Sequence, residues 1–274
     1  MQTNSSCKVQ RTKCRIRTHA LLVACGLSLF WAACEREPDA GFRPQLMVHA
    51  MLRSGARETY VNVNRTYRID EPFDMWFPDA EVIVWGGGRE TLQAEYVRYD
   101  LYYRSLGGHP IDPHDTWHIR VTKEGFDTVY GRTVVPGEFE ILYPGNRDTV
   151  MLTDSMSWTR SRGAMGYYMS LERWQANQHY YLDVTIPNDS FDPTYDSTRV
   201  RLEEMLFLYG WSTNEVLLDL YAVDSNYYDW VGAGGFGAAA GSASASHLEG
   251  GVGVFGSACV RQLHVYYQPD TTGP

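Results

Sequence analysis

Asn62 and Asn64 stand between Val61, Val63 and Arg65, and His118 and Arg120 stand between Trp117, Ile119 and Val121. A period of two is the mark of a β-strand with one face buried, because successive side chains leave an extended backbone on opposite sides. The same habit, in short segments, runs through "QLMVHAML" (45–52), "TYVNVNRTYRI" (59–69), "AEVIVWG" (80–86), "TWHIRVT" (116–122) and "DTVYGRTVV" (127–135). Turn residues separate the segments, including Gly86-Gly87-Gly88 and Glu124-Gly125, and no helical periodicity lies between them. Strands at this spacing specify an all-β chain built as antiparallel β-sandwiches, the first occupying residues 44–137, where Asp79 to Val84, a hairpin, and Trp117 to Val121 resemble transthyretin-like or immunoglobulin-like modules.

Pro136 and Gly137 close that run of strands and open a second module, residues 138–270. There Trp158, a turn through residues 161–163, and Ala164 followed by Tyr167 at the head of an alternating strand resemble the second and third strands of a fibronectin type III domain. "NEVLLDLYAVDSNYYDW" (214–230) reads as a later strand, with Leu218, Leu220 and Ala222 on one face. "IPNDSFDPTYDSTR" (186–199) reads as a polar loop. A glycine-rich insertion, residues 231–258, stretches the last hairpin into a long hairpin or loop beside the closing strand "CVRQLHVYY".

Within that insertion Gly251, Gly253 and Gly256 fit the G-x-G-x-x-G spacing that cradles a dinucleotide pyrophosphate, and Gly232, Gly234 and Gly237 fit it again. The mechanism needs a helix opening from the glycines and an acidic residue about 20 positions on. Only 18 residues follow Gly256, and they read as a strand and a tail. The glycines therefore serve a turn or a close backbone approach, with Val252, Val254 and Phe255 supplying apolar surface, and no cofactor is expected.

The first 34 residues carry Lys8, Arg11, Lys13, Arg15 and Arg17, no acidic residue, and the apolar run "ALLVACGLSLFWAA" ending at Cys34. This is the layout of a signal peptide, and its apolar run is short for a membrane span. Small residues before Cys34 resemble a lipobox, which makes Cys34 the lipidated first residue of the mature chain. Cys25 also follows a lipobox-like run, but only five apolar residues precede it. Cleavage before Cys34 leaves 19 basic against 33 acidic residues, a net charge of −14. Such a body repels nucleic acid. With Cys34 acylated, Cys259 alone remains, so stability rests on packing rather than on disulfides. Residues 35–43, "EREPDAGFR", form a charged tether.

The motifs Cys34, "PQLMVHAML", "VNVNRTY", "PDAEVIVW", "DTWHIRV", "GRTVVPGEF" and "GGVGVFGS" together resemble a family of lipoproteins of Bacteroidota-type bacteria catalogued as domain of unknown function 4249. The resemblance covers most of the mature chain. It implies a lipoprotein of the outer membrane, often encoded beside a TonB-dependent transporter, with no established activity. The acid-rich tether resembles the surface-export signal of such lipoproteins, implying exposure at the cell surface.

Candidate chemistry is sparse. His109, Asp112, His114, Asp115 and His118 crowd into ten residues, but two prolines stiffen that loop and His118 alternates with core residues, so a polar turn is the expectation and no metal is assigned. Asp189, Asp192 and Asp196 lack the alternating spacing of a calcium loop. No G-x-S-x-G, no H-E-x-x-H and no Cys–His pattern marks a nucleophile, and no catalytic residue is assigned. The 14% aromatic content is the remaining signal. Tyr102 with Tyr103, Trp174, and Tyr227 and Tyr228 with Trp230 are the candidate binding aromatics, since adjacent rings on a strand face opposite ways and one of each pair meets solvent. The expected role is a lipid-anchored, non-enzymatic binding or accessory protein of the cell envelope, anchored to the membrane and partnering a TonB-dependent transporter or another envelope protein. The alternatives are a surface glycan-binding protein and an extracytoplasmic hydrolase whose site only the fold assembles.

Overall fold

The computed structural model describes residues 41–68, 70–72, 77–88, 91–98, 102–106, 109–151, 153–175, 178–187, 197–201, 215–233 and 246–268, with backbone alone for 171–201. The signal segment, Cys25, Cys34, most of the tether, Asp189, Asp192, Asp196 and residues 234–245 of the glycine-rich insertion lie outside these residues. Residues 44–274 form one unit by their contacts. In chain order the strands are β1 (Leu46–Arg53), β2 (Glu58–Arg65), β3 (Glu81–Gly86), β4 (Leu92–Val97), β5 (Tyr102–Leu106), β6 (Thr116–Thr122), β7 (Val129–Val134), β8 (Ile141–Tyr143), β9 (Thr149–Val150), β10 (Ser155–Thr159), β11 (Gly166–Gln175), β12 (Gln178–Pro187), β13 (Ser197–Arg201), β14 (Glu215–Val223) and β15 (Val252–Tyr267). A helix, α1 (Ser225–Gly232), lies between the last two. Among the described residues no helix is long and apolar enough to cross a membrane.

The alternation read in the sequence is the alternation of burial. In β1, Leu46, Val48, Ala50 and Leu52 are buried while Met47, His49, Met51 and Arg53 face outward. β2 runs antiparallel to β1 with Val48 opposite Val63 and His49 opposite Asn62, and β5 continues the layer on its far side. β4 turns the corner: residues 95–97 pair with β5 and residues 92–94 with β3. β3, β6 and β7 then make the facing layer. Between the layers lies a core of β1 and β2 aliphatics, Val82, Val84, Trp117, Ile119 and Val121. Val135 ends this core, and Phe139 begins a second one around Trp158, Tyr167, Met169, Leu218, Leu220 and Cys259. That second core lies among strands of the β12-β11-β14-β15 layer and the smaller sheet β13-β10-β8.

The ends of the segment 186–199, read as a polar loop, belong to β12 (to Pro187) and β13 (from Ser197), and two larger departures from the sequence reading follow. Residues 252–258 are no loop; they are the first half of β15, paired in parallel with β1 (Met47 with Val252 through Arg53 with Ala258). The same strand continues antiparallel to β14 from Ala258 to Tyr266, so one strand runs through both halves of the fold. Phe255 accordingly packs into the first core, although its segment lies within the stretch read as the second module. The glycines conceal this strand because they lack β propensity, yet burial on both faces decides the outcome. The G-x-G-x-x-G spacing at 251–256 opens no helix. The second difference follows Val223, where the strand stops because Asp224 caps α1, its side chain accepting from the Tyr227 N–H. Tyr227, Tyr228 and Trp230 therefore stand on a helix.

Candidate functional site

The outward side chains of three neighbouring strands leave a concavity of about 540 Å³. β1 supplies His49, Met51 and Arg53, β2 supplies Glu58, Tyr60 and Asn62, and β5 supplies Tyr102. They share a face because each set is spaced by two and the register places His49 beside Asn62. The β1–β2 hairpin closes one end. Its turn uses Gly55 at φ +80° and is tied down by the Gly55 N–H to Ile111 carbonyl bond (2.8 Å), the Ile111 N–H to Ala56 carbonyl bond (2.8 Å) and the Ser54 N–H to Ala258 carbonyl bond (2.9 Å). Arg53 and Arg57 flank this fixed turn.

The wall of the groove is aromatic. Tyr60 is 47% exposed and meets Tyr102 edge to face, 4.9 Å between ring centres. Its hydroxyl donates to the Glu58 carboxylate, and this hydrogen bond, ahead of burial, raises its pKa above the ordinary tyrosine value. On the opposite wall the Arg53 guanidinium lies 5.5 Å from the centre of the Tyr221 ring, and burial pushes the Tyr221 hydroxyl up to about 12.

His49 lies on the floor, 6.2 Å from the Tyr227 ring. Burial lowers its pKa from 6.5 to about 4, so the imidazole is neutral at ordinary pH. A folded-state pKa below the unfolded one means the unfolded chain takes the proton first, so this group's stability is complete above 6.5 and drains away as pH falls toward about 4. The expected contribution is about 2 kcal/mol, after allowance for partial exposure. His49→Gln, which keeps the shape without a titrating group, should flatten the fall of the urea midpoint across that window. An unchanged slope in the variant would count against the assignment.

Of the aromatics singled out in the sequence, Tyr102 lines this groove. Tyr103 faces the other way, 2% exposed, its hydroxyl accepting from the Ala80 N–H (2.8 Å) and donating to the Phe77 carbonyl (3.0 Å), so it is a post in the core. Trp174 lies in β11, and its side chain is outside the described residues. The strand expected through Tyr227, Tyr228 and Trp230 is corrected by α1, which turns Tyr227 and Trp230 inward to form a third core with Val254 and Ala258 and leaves Tyr228 half-buried. Tyr60, Arg53, Arg57 and His49 were not legible as a group. The alternation Glu58-Tyr60-Asn62 against Thr59, Val61 and Val63 was the available signal for Tyr60.

A second concavity of about 330 Å³ lies where Thr133 and Val134 meet Met165 and Asn226, above Asp224. The Asp224 carboxylate accepts from the Thr133 hydroxyl (2.6 Å) and from the N–H groups of Tyr227 (3.0 Å) and Ser257 (3.1 Å). Ser257 Oγ lies 2.7 Å from Thr133 Oγ1 and donates to the Val134 carbonyl (3.0 Å). Both hydroxyls are buried and spent on partners inside the fold, so the arrangement joins β7, α1 and β15 and offers no free nucleophile. The histidine-rich loop does not gather its side chains. His109 is exposed, His114 packs over Gly137, and His118 stacks on Trp85 at 5.3 Å; among the described residues no three metal-ligating side chains converge.

Comparison with solved structures finds distant similarities. They include tandem immunoglobulin repeats of Dlar (9% identity over 82% of this chain and 98% of that one, TM-score 0.27), the BSP domain of a biofilm associated protein (13%, 84% and 30%, 0.25) and fibronectin(III)-like modules of Clostridium thermocellum CbhA (6%, 85% and 97%, 0.24). No curated protein matches the sequence. The match that covers the strands described above, the groove and most of β15, is to a family, and by it the chain, over residues 35–263, belongs to the domain of unknown function family DUF4249.

Proposed function

We propose that this protein is a non-enzymatic binding protein of the bacterial cell envelope, held at the outer membrane by a lipid on Cys34, with the groove on β1, β2 and β5 as its binding surface. The observation that carries the reading is the groove itself. Its side chains project from interior strands of a sheet, beside a hairpin turn fixed by three backbone hydrogen bonds, and a rigid scaffold lowers the ordering cost of binding. A TonB-dependent transporter is the envelope partner this reading favours, on the family resemblance carried by the strand motifs.

The anchor is tested directly. Cys34→Ser should abolish incorporation of labelled palmitate and move the full chain from the membrane to the soluble fraction, because each buried methylene of an acyl chain contributes about 0.8 kcal/mol. Equal membrane retention of the variant would overturn the anchor. Capture of a TonB-dependent transporter by the tagged wild-type chain, from detergent-solubilised membranes, tests the partner, and its absence from the captured material would remove that part of the reading.

A further inference from the structure

We infer that the β1–β2–β5 groove takes an acidic saccharide, with its anionic group between Arg53 and Arg57 and a sugar ring against Tyr60 and Tyr102. The inference rests on the reading of the groove as the binding surface and names what it binds.

Charge is the first ground. The whole chain carries a net charge of −9, yet the fixed end of the groove presents two exposed guanidiniums, and among the described residues neither Arg53 nor Arg57 has a carboxylate partner. The one carboxylate among them, Glu58, receives the Tyr60 hydroxyl. Two forked donors on either side of a tied-down turn suit a carboxylate or a sulfate.

The walls supply the second ground. The Tyr60 and Tyr102 rings are perpendicular, at 83°, so the exposed Tyr60 ring offers a face on which the C–H side of a sugar can lie. Asn62 and the neutral His49 on the floor are suited to hydroxyl groups. A volume of about 540 Å³ lies in the range of small-ligand sites.

Backbone pairing separates a saccharide from an acidic peptide. β1 is paired on both sides, by β15 and β2, and β2 by β1 and β5. Among the described residues the outer edges of the pair are taken, β1 by β15 along Met47–Arg53 and β2 by β5 along Glu58–Val61, so an extended peptide could add main-chain hydrogen bonds only within the short splay of the hairpin, beyond the last β1–β2 pair at Ala50 and Val61. Recognition here rests on side chains, and rings, hydroxyls and one anion match those present.

The test uses the full lipidated chain in detergent micelles, titrated calorimetrically with oligogalacturonate, sulfated dextran oligomers, neutral dextran oligomers and poly-glutamate. The expected result is binding of one or both acidic saccharides, the carboxylated and sulfated arms telling which anion is read, with the neutral saccharide and the peptide at least about tenfold weaker. The double variant Arg53→Gln/Arg57→Gln should lose about tenfold in affinity with its thermal midpoint unchanged, and Tyr60→Ala should weaken binding of the acidic saccharide as well. Poly-glutamate binding as tightly as the saccharides, binding indifferent to the double substitution, or no saccharide binding would each overturn the inference. Membrane fractionation of the cells before solubilisation separates the two claims: absent saccharide binding with retention that still depends on Cys34 removes the ligand and leaves the anchored reading standing.

Discussion

Gly253→Ala is expected to destabilise the fold by about 4 kcal/mol or more, enough to leave many small domains largely unfolded. Gly253 sits at φ +116°, a backbone region that L side chains rarely adopt, and a Cβ there would come within 2.0 Å of the Val48 carbonyl oxygen and 2.9 Å of its carbon. Val48 is its direct partner in the parallel ladder, and β1 is held on its other side by β2. Relief of the clash means parting β15 from β1, which drags Phe255 out of the first core and Val254 out of the third. Gly251→Ala should cost about half as much, since its Cβ would lie 2.6 Å from the Leu46 carbonyl oxygen without a positive φ. Gly55→Ala provides the scale for strain alone, because φ is +80° but the space is open; about 1 kcal/mol is expected. Urea midpoints of the three variants check the order. A Gly253→Ala protein no worse than Gly55→Ala would mean that β15 and β1 do not approach as described. Millimolar nucleotide should leave the midpoint of the parent where it is, because these glycines admit a neighbouring backbone rather than a phosphate.

The strands of the first half were legible because both signals that make a strand agree there. Alternation at 45–52, 80–86 and 116–122 matches Leu46–Arg53, Glu81–Gly86 and Thr116–Thr122 to within a residue, and each is bounded by turn residues. Leu92–Val97 was missed: five of its six side chains are exposed or half-exposed, so its pattern is weak. α1 was missed because eight residues give little more than two turns of periodicity, and its aromatic content favours a strand locally; only the Asp224-Ser225-Asn226 run signalled a helix start. The first half of β15 was missed for the opposite reason. Its glycines argue against a strand by propensity, and only the tertiary setting, β1 beside it and cores on both faces, reverses that. The groove was legible in one residue, Tyr102. Its other members, from His49 to Asn62, lie 40 to 53 positions before it in sequence and come together through the β1–β2–β5 register, which no local pattern encodes.

Asp224→Ala should cost about 3 kcal/mol, and the three donors left behind account for it. The carboxylate accepts from the Thr133 hydroxyl and the N–H groups of Tyr227 and Ser257, all in buried surroundings. Each donor left without an acceptor costs about 1–3 kcal/mol, and the cap of α1 is lost with them, about 1 kcal/mol more; release of a buried charge offsets part of the sum. Asp224→Asn keeps one acceptor oxygen and should cost less than half as much. The charge leaves its own signature in pH. Burial raises the Asp224 pKa above the ordinary aspartate value, against the pull of its hydrogen bonds and of His247. A folded-state pKa above the unfolded one means the folded chain holds the proton longer, so this group's contribution is greatest below the unfolded value of 3.8 and is lost as pH rises through the folded value. Asp224→Asn cannot lose it, so the gap between parent and Asn variant should narrow as pH rises from acid to neutral. His49 titrates in the same region with the opposite sign, so the comparison is made in a His49→Gln background, by urea unfolding at a series of pH values. A gap that stays constant, or an Ala variant within about 1 kcal/mol of the parent, would show that the tie between β7, α1 and β15 does not rest on this carboxylate.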